Sequence, residues 1–124
     1  MLSFEECGNI LDEIADSLPF ELYRELNGGI QLLPGLRIHP KAVDNDLYIL
    51  GVYIRDSLGN SIKIYYGSFI KVFPSIDSVR AREELKKILV HEVRHHNEFL
   101  AGTDDLIYYD NDKINEYLKS KNKK

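Results

Sequence analysis

Five consecutive residues carry the most chemistry in this chain: His91-Glu92-Val93-Arg94-His95, an H-E-x-x-H pattern. Residues four apart on a helix stack on one face, so two imidazoles at this spacing can reach a single Zn²⁺. The glutamate between them points to the flank, where it can take a proton from a water the metal activates and pass it to a leaving amine. On a helical wheel Ala81, Leu85, Ile88, Leu89 and Phe99 share one face. Glu83, Lys86, Lys87, Arg94 and Asn97 share the opposite one, with His91 and His95 on the border and Glu92 on the apolar side. A carboxylate on an apolar face is costly unless something compensates it, and a metal with its water would do so. The bland alternative is a surface helix with two exposed histidines.

A catalytic zinc usually takes three protein ligands and one water. No histidine follows His96, so a third histidine of the H-E-x-x-H-x-x-G-x-x-H type is absent, and the carboxylates Glu98, Asp104, Asp105, Asp110 and Asp112 remain as candidates. Gly102 lets the chain turn back under the helix, which makes Asp105 the first choice as third ligand, with Asp104 and Glu98 behind it. The expectation is therefore one zinc ion on His91, His95 and Asp105, with Glu92 as general base. His96 points toward the apolar side and reads as a hydrogen-bonded core histidine rather than a ligand. Tyr65, Tyr66, Tyr108 and Tyr109 are candidates for a hydroxyl near a developing oxyanion, although most tyrosines here should be packing residues.

These residues need a long helix and a support. Ser78 to Ala101 contains no internal Gly or Pro, and Ser78 can cap it while Gly102 closes it. Before it, Ile10, Leu11, Ile14, Ala15 and Leu18 have helical spacing, with Ser3 and Glu6 as a capping box. Pro19 breaks this helix; a second helical turn runs to Leu26 and stops at Asn27-Gly28-Gly29. Ile30 to Leu33 and Leu47 to Arg55 read as strands, with Leu36 to Asp46 a loop between them. Asp56 to Asn60 is a turn, and Ser61 to Tyr66 completes a hairpin. Phe69 to Phe73 suits either an extended piece or a helical turn, and Asn111 to Lys119 a terminal helix.

Composition bounds the function. A chain of 124 residues fits one domain over 1–124, large enough for its own core. The net charge of −4 and the pI near 5.5 disfavour nucleic acid as a partner. The one dense basic run, Lys119, Lys121, Lys123 and Lys124, reads as a frayed tail over 119–124. Cys7 is the only cysteine, which excludes an internal disulfide and a cysteine-based zinc site and suits a reducing cytoplasm. The acidic N-terminus lacks the apolar core of a signal peptide. The longest apolar run, Leu47 to Ile54, is far short of the roughly 20 residues a membrane helix needs, so no membrane partner is expected.

The chain resembles the small bacterial zincin-like metallopeptidases, single-domain proteins of about this size. The resemblance rests on Phe4-Glu-Glu with Leu18-Pro19, on Leu50-Gly51-Val-Tyr53, on Ile64-Tyr-Tyr-Gly67 and, most specifically, on His91-Glu-Val-Arg-His-His96. It implies an α+β, minimal zincin-like fold: a small mixed or antiparallel sheet packed on a long active-site helix and flanked by an N-terminal helix. It also implies His91 and His95 as zinc ligands and Glu92 as general base. Many relatives follow the double histidine with Phe-Gly and an acidic pair, whereas this chain has Asn97-Glu-Phe-Leu-Ala-Gly102 and a displaced pair. Gly102-Thr-Asp-Asp-Leu-Ile-Tyr108 is similar to the G-T-x-D-x-x-Y-G signature of aspzincins, departing from it at the final Gly, which is Tyr109 here; the similarity implies Asp105 as ligand and Tyr108 as oxyanion helper.

The leading expectation is a zinc peptidase whose peptide or protein substrate lies along a hairpin strand, Leu47–Arg55 or Ser61–Tyr66. The alternative is a metal-binding protein of the same fold without peptidase activity, acting through a partner. A small metal-dependent nuclease fits poorly, because its third histidine position holds Ala101.

Overall fold

The structure is a computed structural model that describes residues 1–44, 46–57 and 59–102. It is an α+β fold with, among the described residues, three α-helices and a mixed three-stranded sheet. Helix α1 spans Phe4–Ser17 and starts at the expected capping box, in which the Ser3 hydroxyl accepts from Glu6 N and Ser3 N donates to Glu6 Oε1. Its buried stripe is Cys7, Ile10, Leu11 and Ile14. Beyond Leu18 and Pro19 the chain makes only a 3₁₀ turn over Phe20–Tyr23, shorter than the helix to Leu26 that the sequence suggests. Glu25 stands in the left-handed region at φ 60°, which ends any helical path there.

Strand β1 (Ile30–Leu33), strand β2 (Gly51–Asp56) and strand β3 (Gly59–Tyr65) form a sheet ordered β1-β3-β2. β1 runs parallel to β3, with Ile30 opposite Ile62, and β2 runs antiparallel to it, with Tyr53 opposite Ile62. The hairpin is tighter than the Asp56–Asn60 turn expected, because Asp56 already pairs with Gly59.

The strand expected over Leu47–Arg55 is extended, yet only its second half joins the sheet. Its first half pairs with the segment expected to be loop: Tyr48 bridges Ile38, His39 N donates to Leu47 O at 2.8 Å, and Ile49 N donates to Arg37 O at 2.8 Å. The ambiguous stretch after the hairpin is helical, α2 over Tyr66–Val72.

Helix α3 spans Ser78–Leu100, and its N-cap is Asp77 rather than Ser78, the Asp77 carboxylate accepting from Arg80 N at 2.8 Å. α3 packs on β2, β3 and α1. One continuous core joins Cys7, Ile10, Leu11 and Ile14 of α1, Ile62 and Ile64 of β3, Phe69 of α2, and Ala81, Leu85, Leu89 and Val93 of α3. An ion pair between Arg82 and Glu13 ties the two long helices at the surface. No helix among the described residues is long and apolar enough to cross a membrane. The expected terminal helix Asn111–Lys119 and the basic tail lie outside the described residues.

Candidate metal centre

β2 and α3 run side by side in the same direction. A Cβ on Gly51 would sit 2.7 Å from Ile88 Cγ2 and 3.5 Å from Glu92 Cγ; Tyr53 meets His96; and Arg55 lies over the Phe99 ring. The start of β2 is thus pressed against the turn of α3 that carries the glutamate. Only glycine permits that approach, because any side chain would enter the space of Ile88.

On the same turn His91 and His95 stack as the i, i+4 spacing requires. Their rings meet edge to face with centroids 4.3 Å apart, and their Nε2 atoms approach to 2.8 Å. Glu92 Oε2 lies 3.8 Å from His91 Nε2. His95 and Glu92 are buried, at 2% and 6% exposure, so the wheel's border position for His95 is corrected to an interior one. The strand at Gly51 covers that side of the helix. Ligand atoms of His91, Glu92 and His95 all lie within 4.8 Å of one another. Two imidazole nitrogens aimed at one point beside a buried carboxylate are a donor set that could hold a divalent ion.

His96 is fully buried and makes two short contacts of 2.6 Å, from Nε2 to Arg24 O and from Nδ1 to Tyr53 Oη. A carbonyl can only accept, so Nε2 carries the hydrogen and Nδ1 accepts from the Tyr53 hydroxyl. Burial raises the Tyr53 pKa above its ordinary value, partly offset by the nearby Arg55 charge. Both nitrogens of His96 are committed, so it serves as the core histidine the sequence suggests.

The remaining candidates separate clearly. Glu98 accepts from Arg94 Nε at 2.9 Å and is not in the donor group. Tyr65 Oη accepts from Arg37 Nη1 at 3.0 Å, and Tyr66 Oη donates to Leu2 O, so neither hydroxyl is part of the centre. Asp105, Asp104, Asp110, Asp112, Tyr108 and Tyr109 lie outside the described residues. Sequence reasoning noted Gly51 and Tyr53 only within a strand that carries the resemblance, gave neither a role at the centre, and missed Arg24. A signal existed for Gly51, a lone glycine inside the apolar run Leu47–Ile54, which marks a close backbone approach. Arg24 contributes a main-chain carbonyl, for which side-chain identity gives no signal.

No family model and no curated protein matches the sequence. Among solved structures the fold is similar to a conserved hypothetical protein from Thermus thermophilus, with a TM-score of 0.69 and 27% identity. The match covers 81% of this chain and 98% of that one, so it takes in nearly all of that protein's architecture.

Proposed function

We propose that the protein is a zincin-type, zinc-dependent peptidase. The observation that carries this is the buried Glu92 carboxylate beside the paired Nε2 atoms of His91 and His95, at the start of a strand with an open edge among the described residues. His91 and His95 would hold one zinc ion through Nε2, and zinc bound there would supply Lewis acidity for activating a water and polarising a carbonyl. Glu92 accepts a proton at its carboxylate and returns it to the leaving amine. Its burial keeps bulk water from competing for that proton.

Of the two hairpin strands expected to receive a substrate, β3 is the middle strand of the sheet, so among the described residues only β2 has an open edge. An extended peptide adds there by main-chain hydrogen bonds. Asp105 completes the ligand set in this reading, and the single thiol suits the cytoplasm.

The test is metal content by elemental analysis beside hydrolysis of a peptide library. Wild type and Glu92→Gln should each hold about one zinc per chain, and His95→Ala and Asp105→Ala should lose it. Glu92→Gln should hydrolyse peptides at least about 10²-fold more slowly than wild type. A fully active Glu92→Gln sinks the reading. Zinc without hydrolysis in the wild type turns it to a metal protein acting through a partner. Zinc kept in Asp105→Ala moves the third ligand to Glu98 or Asp104.

A further inference from the structure

The β2–β3 register settles which main-chain groups β2 leaves open. Leu50 O accepts from Tyr65 N at 2.9 Å, and the ladder continues as Val52 with Lys63 and Ile54 with Ser61. Hydrogen-bonded pairs alternate in an antiparallel ladder, so Gly51, Tyr53 and Arg55 turn their N–H and C=O groups away from β3. Among the described residues no strand lies on that side.

The same three residues face α3. Gly51 lies at Glu92, and Arg55 lies at Phe99, its guanidinium carbon 4.3 Å from the ring centroid. Arg55 is exposed, and among the described residues it has no carboxylate within ion-pair distance. The ring holds the planar group by a cation–π contact and leaves its N–H donors to other partners.

From Gly51 to Arg55 an extended strand covers roughly 13 Å. Along α3 from Glu92 to Phe99 the rise is roughly 10 Å. Arg55 therefore stands at one end of the β2 edge and the histidine pair at the other. A peptide pairing antiparallel with β2 presents the residue opposite Arg55 on the face Arg55 itself occupies.

We infer that Arg55 is a specificity-determining residue that selects an acidic side chain, four positions N-terminal to the peptide residue opposite Gly51. The inference rests on the peptide-binding reading of the β2 edge and is independent of whether hydrolysis occurs. Selection is local: the chain carries a net charge of −4, so its overall field does not attract acidic peptides.

The test is binding of fluorescein-labelled decapeptides in zinc-supplemented buffer, read by anisotropy. The peptides have a Thr/Val/Ala host sequence with one Glu, or one Gln, moved through each position. The full-length Glu92→Gln protein keeps bound peptides intact, and Arg55→Gln, Arg55→Lys and Phe99→Leu are added in that background. Glu should bind about fivefold better than Gln at one position, a preference that shrinks at high salt. Arg55→Gln should bring the Glu and Gln peptides to equal affinity, while Arg55→Lys keeps part of the preference. Thermal melts check that each variant is folded. Peptides that bind with no acidic preference, or a preference that survives Arg55→Gln, overturn the role of Arg55 alone. No binding of any peptide overturns the edge reading and this inference with it.

Discussion

His95 and His96 are neighbours with opposite commitments. His95 turns Nε2 toward His91, whereas His96 spends both nitrogens on Tyr53 and Arg24. The first was legible because its partner is four residues away on the same helix. The second was legible only as burial, because its partners come from other elements and one is a main-chain carbonyl. Presenting that carbonyl has a local cost: the next residue, Glu25, adopts φ 60°, a region that costs non-glycine residues about 1 kcal/mol. Glu25→Gly should therefore stabilise the fold by about 0.5–1 kcal/mol, measured as the shift in urea midpoint at constant slope. A destabilised variant would mean that the Glu25 side chain contributes more than its backbone strain removes.

At the scale of elements, the pairing of β2 with α3 sets the site. Gly51→Ala should push Ile88 and the Glu92 turn away from the strand and cost about 1–3 kcal/mol, as overpacking does. Adding Ile88→Ala should recover part of that loss, and a double-mutant cycle by denaturant melts measures the coupling. Additive losses would contradict the contact. The long helix was legible because 23 residues keep one apolar face without a breaker. The split of the Leu47–Arg55 run was not, because apolar alternation suits either partner and only the fold assigns the first half to residues 37–39. α2 was ambiguous for a related reason: it follows β3 directly, with no side-chain N-cap and a glycine in its first turn. The parallel pairing of β1 with β3 carries no local signal at all.

For the whole molecule the shared core is the governing unit, and Cys7 reports on it. The thiol is fully buried between α1 and its neighbours, and burial pushes its pKa from an ordinary 9.0 up to about 11. It stays protonated in the folded protein where an unfolded chain would ionise. Its contribution to stability is therefore complete below pH 9 and is lost as pH rises through about 11. Denaturant melts should show a decline between those values that is shallower in Cys7→Ala. Iodoacetamide at pH 8 should label Cys7 at a rate that follows unfolding, and rapid labelling without denaturant would contradict its burial.

The His96 contacts also bear on how small a working piece of this protein can be made. They draw Arg24, Tyr53 and the long helix to one point, three stretches of chain far apart in order. Excised as a peptide, residues 78–100 would keep both imidazoles and the carboxylate, yet lose Gly51 against Glu92 and both partners of His96. Such a peptide would be an ordinary histidine chelator with a solvated glutamate. Grafting the five-residue pattern onto another helix would transfer the two histidines and the glutamate and leave behind the burial that distinguishes them.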